Sequence, residues 1–282
     1  MPELPEVEVV KLSLEPRLVG ERIEKVGVLS PALREPLDRR ALTGLEGTRV
    51  ERLRRRSKYL LVDVEGSAET NRVDAGQTLA IHLGMSGRLT IVPDGEPLAK
   101  HEHVAFQLAG GGRLRLVDPR RFGQAFVVPT GELEQDRHFV HLGPEPLGEA
   151  FDGDHLARAA KGRRGPIKTF LMDASVVVGV GNIYASEALW RARVHPKRSV
   201  ARVSAASWQR VAEAVKETLA QAIHEGGTTL NDFTDGEGNA GYFQVSLAVY
   251  GREGEPCQRC PRTLRRIVQS NRSTYYCPSC QR

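Results

Sequence analysis

Apolar and polar positions alternate through the first half of the chain, in short segments that Gly, Pro and Asp residues separate. This pattern is typical of half-buried strands joined by tight turns. The three glycines at 110–112 fit a hairpin, whereas the polar segment 66–78 is predicted to be a loop. We therefore predict an antiparallel β-sandwich with strands near 22–28, 49–53, 59–64, 79–83, 88–92, 103–108, 113–117 and 124–128.

Helical patterns flank these strands on both sides. Residues 6–15 carry apolar side chains three or four positions apart, which predicts a helix that Pro16 and Gly20 end. The clearest helix is predicted at 204–225, with Ser204 as its N-cap and two glycines after its last turn. The fold class is therefore α+β: an N-terminal antiparallel β-sandwich flanked by helices, followed by a helical region.

A stretch rich in proline and glycine divides the chain of 282 residues, which is long enough for two modest domains. We expect an N-terminal domain at 1–142, a linker at 143–153, a helical domain at 154–250 and a small C-terminal element at 251–282. The segment 226–244 is rich in Gly, Thr, Asn and Asp and is expected to be a loop.

Charge is more informative than overall composition. The formal net charge is +5 and charged residues make up 27% of the chain, so the protein is only mildly basic. The basic residues are clustered, however, and clusters that converge on one face form the usual footprint of nucleic-acid binding. No apolar run approaches the ~20 residues of a membrane span, and no secretory signal is visible, so a cytoplasmic location is expected. The clusters lie at 52–58, 161–168, 191–198 and 259–282.

All four cysteines lie near the C-terminus, as Cys257, Cys260, Cys277 and Cys280. Two Cys-x2-Cys pairs separated by sixteen residues have the spacing of a zinc ribbon. Two disulfides or four free thiols are the alternatives, and a cytosolic compartment disfavours disulfides. Four protein ligands close a tetrahedral site, so we expect one structural Zn²⁺ that orders a C-terminal β-hairpin.

The N-terminus carries candidate chemistry. Methionine before proline is normally removed after synthesis, which would leave a secondary amine on Pro2 beside the carboxylate of Glu3. An α-amino group titrates near pH ~8, so part of it is a neutral nucleophile able to form a Schiff base at neutral pH. A neighbouring carboxylate can transfer the protons. The alternative is an unstructured start that happens to contain proline.

A Gly-x-Gly turn before Asn182 is a second candidate site. Such a turn at the start of a helix exposes backbone N–H groups to an anion, and Asn182 adds a side-chain donor. Lys168 precedes this turn, at the edge of a short apolar segment. A simple corner between two helices explains the pattern equally well.

Seven longer motifs together identify a relationship. The chain resembles the formamidopyrimidine-DNA glycosylase (Fpg/Nei) family of bacterial 8-oxoguanine repair enzymes from end to end. Leu4 matches the formamidopyrimidine branch, because the endonuclease VIII branch usually begins PEGPE. The motifs are PELPEVE, RRRSKYL, HLGMSGRL, DPRRFG, IKTFLMDASVVVGVGNIYASEALW, GYFQVSLAVYGREGEPC and RSTYYCPSCQ.

The resemblance implies a bifunctional DNA glycosylase and AP lyase of base excision repair that removes 8-oxoguanine and formamidopyrimidines. It implies that Pro2 attacks C1′ of the damaged nucleotide, that Glu3 is the general acid/base, and that β- and δ-elimination follow. Lys58 would contact phosphate or the lesion, and Arg272 on the zinc finger would grip a phosphate; these two complete the expected catalytic set.

The resemblance also implies a set of DNA contacts. His82, Asn182 and Tyr250 would bind phosphates that flank the flipped nucleotide, while Glu6 and Lys168 would lie near it. A loop at about 228–244 in a helix-two-turn-helix domain would close over the base. The residues expected to enter or touch the duplex are Met85, Arg120, Arg121 and Phe122.

The expected partner is double-stranded DNA with an oxidised purine or an abasic site, bound by a monomer. Three alternatives remain: a pyrimidine-preferring enzyme of the endonuclease VIII type, a non-catalytic damage-binding protein, and a zinc-ribbon transcription accessory protein. Two positions depart from the family pattern: Ser57 stands where glycine often precedes the lysine, and 269–271 replace a glycine-rich turn.

Overall fold

The computed structural model describes residues 2–65, 76–228 and 247–282. The chain folds into two compact units. The first contains residues 2–140 and 226–228, and the second contains 141–225 and the described residues from 247 onward. Within these ranges, no helix is both long enough and apolar enough to cross a membrane.

The first unit contains two four-stranded antiparallel sheets. Their strand orders are β1-β6-β7-β5 and β2-β3-β4-β8, which confirms the predicted antiparallel β-sheet architecture. The strands are β1 (Ile23–Val28), β2 (Val50–Arg56), β3 (Tyr59–Val64), β4 (Gln77–His82), β5 (Arg88–Val92), β6 (Glu102–Leu108), β7 (Arg113–Val117) and β8 (Gln124–Pro129). A short helix, α2 (Arg39–Thr43), follows β1, and a 3₁₀ turn (Thr130–Gln135) follows β8.

Helix α1 (Leu4–Leu18) covers the core of this unit. Val10 and Leu14 of the helix belong to one apolar cluster with Leu60 of one sheet and Phe106 of the other. The prediction that Pro16 ends the helix is wrong. Proline lacks the N–H that would bond to the carbonyl four residues earlier, but residue 12 is on an exposed part of the helix, where water can satisfy that carbonyl.

Strand β4 begins inside the segment that was predicted to be a loop. Gln77 and Thr78 are part of the strand, so the loop prediction is wrong for these two residues; 66–75 lie outside the described residues. Thr78 pairs with Asp63 of β3 and donates a hydrogen bond to its carboxylate (2.7 Å). This cross-strand bond allows a polar residue to be buried in the sheet.

The arginines of β2 are largely paired with acids of the same unit. Arg52 and Arg54 donate to Asp63 at 2.6 and 2.7 Å. Although burial opposes ionisation of Asp63, its hydrogen bonds to Arg54, Thr78 and Arg52 hold its pKa below the usual value. This basic cluster therefore serves mainly to hold the sheet together. Two further pairs join Arg55 to Glu8 and Arg56 to Glu134.

The second unit is helical. Its elements are α3 (Gly153–Ala160), α4 (Ile167–Leu171), α5 (Asn182–Arg191), a 3₁₀ turn (Val200–Arg202) and α6 (Ala205–His224). Ser204 caps α6 as predicted, by accepting a hydrogen bond from the Ser207 N–H. The segment 143–153, expected to be a linker, lies within this unit, where Gly143 donates to Ala174 and Gly148 accepts from Lys216.

The C-terminal residues form two small antiparallel ribbons in the second unit. Strands β9 (Pro256–Cys257) and β10 (Cys260–Thr263) pair, as do β11 (Arg265–Gln269) and β12 (Arg272–Tyr276). Gln269 lies opposite Arg272, so only Ser270 and Asn271 form the second turn. Both have positive φ (48° and 58°), the pattern of a type I′ hairpin turn, which glycine adopts most readily.

We predict that Ser270→Gly stabilises the hairpin of β11 and β12. A left-handed conformation costs a residue with a side chain ~1–2 kcal/mol, and glycine avoids this cost. Resistance of the C-terminal segment to limited proteolysis is expected to increase. The control is Ser273→Gly in β12, where glycine loses more freedom on folding and removes the acceptor of Arg266. That variant should become more sensitive, and equal sensitivity of the two variants would contradict the prediction.

Candidate functional site

The first described residues are buried at the start of α1. Pro2 and Glu3 are both buried, and Glu3 is the N-cap residue of the helix. The Glu3 N–H donates to the Glu6 carboxylate at 2.7 Å. This bond satisfies one of the N–H groups that a helix start leaves without a partner. The backbone beside Pro2 is therefore held in one position.

Glu6 also binds the beginning of a later segment of the same unit. Its Oε1 accepts hydrogen bonds from the N–H and the hydroxyl of Thr228, both at 3.0 Å. Glu6 is buried, so its carboxylate needs these donors. The loop expected at 228–244 lies outside the described residues, apart from Thr228 at its base.

Lys58 lies close enough to His82 in the first unit to affect its titration. Burial, with the charges of Lys58 and Arg34 adding to it, lowers the pKa of His82 to about 4. The Gly84 N–H donates to His82 Nδ1 at 3.0 Å. Because Nδ1 accepts, the neutral ring carries its proton on Nε2, where it can be donated to a phosphate oxygen.

Met85, Arg120 and Phe122 lie on two adjoining loops of the first unit. Met85 is 39% exposed and Phe122 is 44% exposed, which argues against an ordinary core position for either. The Arg120 guanidinium lies over the Phe122 ring, 5.0 Å from its centroid. Arg121 is also exposed and has a φ of 56°. The four residues thus present apolar and cationic groups to solvent.

Asp118 holds these two loops together. It is fully buried and accepts hydrogen bonds from the Ser86 hydroxyl (2.6 Å) and the Gly123 N–H (2.8 Å). Ser86 follows Met85, and Gly123 follows Phe122. A Cβ on Gly84 would lie 2.4 Å from the Phe122 carbonyl carbon, so only glycine permits this approach of the two backbones.

The second unit contains a buried polar network. The Lys168 ammonium donates to Asn182 Oδ1 (2.5 Å), to Thr274 Oγ1 (2.8 Å) and to the Ser273 carbonyl (3.2 Å). Asn182 in turn donates to the Tyr250 hydroxyl at 3.1 Å. Lys168 is only 1% exposed, so its charge acts here by fixing Asn182. As the sequence predicted, Asn182 is the first residue of a helix that follows a glycine turn.

Glu187 of α5 anchors the segment that carries Tyr250. Its carboxylate accepts hydrogen bonds from the backbone N–H groups of Ala248, Val249 and Tyr250, at 2.8 to 2.9 Å. Burial raises the pKa of Glu187, although these three donors favour the ionised form. The position of Tyr250 therefore depends on a buried acid on a neighbouring helix.

Arg272 is the first residue of β12, directly after the two-residue turn. Its side chain is exposed to solvent, and its neighbours Ser273 and Thr274 bind Lys168. The same unit thus contains Lys168, Asn182, Tyr250 and Arg272, four of the residues that the sequence indicated.

The four cysteines meet the requirements of a zinc site. All four Sγ atoms lie within 4.8 Å of one another. The separations of 4.0 Å (Cys257 to Cys280) and 3.6 Å (Cys260 to Cys277) exclude disulfides, whose S–S bond is about 2.05 Å. Tetrahedral ligands ~2.3 Å from zinc would lie ~3.8 Å apart.

The finger attaches to α5 through the first cysteine pair. The Arg259 guanidinium lies 3.7 Å from the centroid of the Trp190 ring and donates to the Trp190 carbonyl at 2.8 Å. Cys257 and Cys277 share an apolar cluster with Trp190. The site therefore holds one structural Zn²⁺, closed by four thiolates.

Comparisons with known proteins agree with this architecture. Residues 1–125 match the formamidopyrimidine-DNA glycosylase N-terminal domain, 142–234 match its H2TH domain, and 254–282 match a zinc finger found in FPG and IleRS. A formamidopyrimidine-DNA glycosylase of Ruegeria pomeroyi is 46% identical over 294 residues, with 100% of both chains covered.

Two solved structures are similar along nearly the whole chain. The complex between Lactococcus lactis Fpg and DNA containing an abasic site has a TM-score of 0.89 at 31% identity, with 99% of both chains covered. MutM (Fpg) from Thermus thermophilus has a TM-score of 0.85 at 38% identity, covering 99% of this chain and 98% of the other.

The protein is therefore a DNA glycosylase of base excision repair with AP lyase activity, as its fold, its zinc site and the comparisons together show. Within that class, the chain belongs to the formamidopyrimidine-DNA glycosylase family.

The sequence interpretation missed two residues that position the site. Asp118 and Glu187 were contained in recognised motifs, but neither was given a role. Each is a buried acid that binds backbone N–H groups. An available signal was the acid at 187 among apolar residues of a helix, because a charge at such a position requires partners.

We predict that His82 makes the first unit less stable in acid. The pKa of His82 is about 4 in the folded protein and 6.5 in the unfolded chain, so protonation favours the unfolded chain. The stability of the fold with a neutral ring is therefore fully present above pH 6.5 and is lost as the pH falls toward 4. Between pH 7 and 4.5, the free energy of unfolding should fall about 2 kcal/mol further in the wild type than in His82→Gln. Urea unfolding at both pH values measures the difference.

Glutamine at 82 is similar in length to histidine but does not titrate, so His82→Gln removes the protonation. His224→Gln, at an exposed position of α6, is the matched control and should keep the wild-type response. The same pH response in His82→Gln and in the wild type would contradict the prediction.

We predict that Glu187→Gln destabilises the second unit by about 1–3 kcal/mol, because an amide NH₂ would face a backbone donor and leave it without an acceptor. Thermal unfolding measures the loss. Glu217→Gln, which breaks only an exposed pair with Arg191, should cost less than about 1 kcal/mol. Equal effects would exclude the anchoring role.

Proposed function

We propose that Pro2, left as the N-terminal residue when methionine is removed, is the nucleophile of this glycosylase and that Glu3 is its general acid/base. The observation that carries the proposal is the buried Pro2–Glu3 pair, whose backbone Glu6 holds at the start of α1. A secondary amine needs a fixed position and a nearby proton acceptor to attack a sugar carbon. Glu6 is a positioning residue that links this pair to Thr228.

The DNA contacts divide between the two units. In the first unit, Lys58 and the Nε2–H of His82 would bind phosphates, supported by the basic surroundings of the ring. In the second unit, Asn182, Tyr250 and Arg272 would do so. Lys168 would act through Asn182, since its ammonium is buried on three acceptors.

A base inside a duplex cannot be reached, so the damaged nucleotide must be extruded at a cost of a few kcal/mol. Exposed Met85 and Phe122 are suited to fill the resulting space, and Arg120 can donate hydrogen bonds to the orphaned base. Arg121, exposed beside them, would contact phosphate. Asp118 supports this role because it joins the two loops that carry the inserting residues.

The proposed chemistry has two coupled stages. The Pro2 nitrogen bonds to C1′ as the glycosidic bond breaks, and the base leaves with a proton. Opening of the sugar gives an iminium that makes the C2′ proton acidic. Glu3 or water removes that proton, the 3′ C–O bond breaks, and a second elimination releases the 5′ side. Hydrolysis of the iminium regenerates the free amine of Pro2, so the proposed reaction needs no redox cofactor.

The proposed substrates are formamidopyrimidines, 8-oxoguanine and abasic sites in duplex DNA. A Lactococcus lactis FPG variant was crystallised with DNA containing Fapy-dG, and Lactococcus lactis Fpg with DNA containing an abasic site. At 31% identity over the full chain, these relatives support the same substrate class here. We assign 1–142 to the catalytic domain, 154–250 to the helical DNA-binding domain and 251–282 to the zinc finger, in a cytoplasmic monomer.

Borohydride trapping tests the nucleophile. The full-length protein is mixed with a duplex that contains one 8-oxoguanine opposite cytosine, reduced, and digested for mass mapping. A cross-link at the N-terminal Pro2 is expected. A cross-link at any lysine, or tight binding without a cross-link, would overturn the assignment. An adduct formed only with oxidised pyrimidines would overturn the proposed substrate.

We predict that Glu3→Gln lowers the single-turnover rate of base excision by about 10²-fold or more, because proton transfer by a placed carboxylate contributes roughly 10²–10⁴. Affinity for an abasic-site analogue should change little, since glutamine keeps the backbone cap. Glu24→Gln, on the exposed side of β1, is the control for loss of one negative charge. Native turnover by Glu3→Gln would exclude Glu3 as the acid/base.

A further inference from the structure

Arg55 joins helix α1 to the turn that carries Lys58. Its Nε donates to the Glu8 carboxylate of α1 at 2.8 Å, and its Nη1 donates to the carbonyl of Ser57 at 3.0 Å. Glu8 belongs to the helix that begins directly after Pro2 and the N-cap. One guanidinium therefore contacts both the helix at whose start the proposed nucleophile lies and the peptide group that precedes Lys58.

The turn that Arg55 binds consists of two residues. Arg56 pairs with Tyr59 at the end of the ladder between β2 and β3, so only Ser57 and Lys58 lie between the strands. Ser57 is buried and has a φ of 56°, a left-handed conformation that costs a residue with a side chain ~1–2 kcal/mol. Such a conformation persists only where its surroundings hold it. The hydrogen bond from Arg55 to the Ser57 carbonyl is one contact that does so.

The burial of Arg55 suits support of the site rather than direct contact with DNA. Its side chain is 9% exposed, whereas those of Arg52 and Arg54 in the same strand are 60% and 32% exposed. Burial opposes ionisation of Glu8, but hydrogen bonds from Lys11 and Arg55 hold its pKa below the usual value, so the acceptor of Arg55 is charged. A guanidinium that is covered and already bonded to a carboxylate is poorly placed to bind a phosphate, but it fixes the groups that it contacts.

We propose that Arg55 is a positioning residue for the reaction, and that it holds Lys58 in a fixed place relative to the start of α1. The inference rests on the role proposed for Lys58, because it requires Lys58 to act at the damaged nucleotide. Lysine carries its charge on a flexible four-carbon stem, so its ammonium is placed only as well as the backbone from which it extends. A displacement of ~1 Å can cost about 10²-fold in rate. Glu8 takes part by holding Arg55.

Arg55→Lys in the full-length protein tests the proposal, because it keeps a positive charge beside Glu8. An ammonium lacks the rigid fork of a guanidinium, so it cannot join Glu8 to the Ser57 carbonyl in the same geometry. Strand cleavage of a duplex with one abasic site is measured in single turnover. We expect the rate to fall at least about tenfold, since the position of Lys58 is lost. Affinity for an undamaged duplex should stay close to that of the wild type, and a fall in affinity as large as the fall in rate would overturn the proposal.

Arg54→Lys is the matched control. Arg54 precedes Arg55 in β2 and donates to the buried Asp63 carboxylate through two nitrogens, at 2.7 and 2.8 Å. The same substitution therefore breaks a similar pair with an acid, but one that does not reach the turn. Arg54→Lys should lower the midpoint of thermal unfolding while the cleavage rate stays close to that of the wild type. Equal falls in rate in the two variants would show that lost stability is the cause and would overturn the proposal.

A double variant shows whether Arg55 acts through Lys58. Residues that act as a unit have non-additive effects, so adding Arg55→Lys to Lys58→Gln should lower the cleavage rate less than about threefold further. If the second substitution costs as much as it does in the wild type, Arg55 acts by another route and the proposal is wrong. A native rate in Lys58→Gln alone would remove Lys58 from the proposed site and the inference with it. Because the single variant is measured separately, the two failures are distinguishable.

Discussion

The buried carboxylate of Glu6 is the constraint on which the arrangement of the first unit depends. It accepts the N–H of Glu3 and both donors of Thr228, so it ties the start of α1 to a segment more than two hundred residues later in the chain. Removing such a group would leave several buried donors without partners, and each would cost about 1–3 kcal/mol. The position of Pro2 thus depends on a long-range contact rather than on α1 alone.

The second unit uses the same device twice. Glu187 accepts hydrogen bonds from three backbone N–H groups and so fixes the position of Tyr250. The Lys168 ammonium donates to three acceptors and so fixes the position of Asn182. Buried charges of this kind stabilise a unique arrangement only when every partner is present. The surface that is proposed to meet the phosphates therefore rests on a layer of buried, fully partnered charges.

Most of the fold and the zinc ligands could be predicted from the sequence, because strands, helices and paired cysteines leave local patterns. Two predictions were wrong for physical reasons that can be named. Helix α1 continues past Pro16 because the carbonyl left without a donor is at an exposed face, where water can bind it. Thr78 belongs to a strand because its hydroxyl donates a hydrogen bond across the sheet to Asp63. The charge clusters were harder to interpret. Sequence indicates that Arg52 and Arg54 are close to one another but not that Asp63 lies opposite them. The roles of Asp118 and Glu187 likewise depend on contacts between distant segments.

The order of the units along the chain has a consequence for synthesis. The first unit is interrupted after residue 140 and receives its last described segment only at 226–228. At 5–20 residues per second, translation of the intervening stretch takes about 4 to 17 s. During that interval Glu6 has no Thr228 to bind, and the zinc cysteines have not yet been made. A nascent chain therefore cannot form the contact between Glu6 and Thr228, or the zinc site, until these later residues have been synthesised.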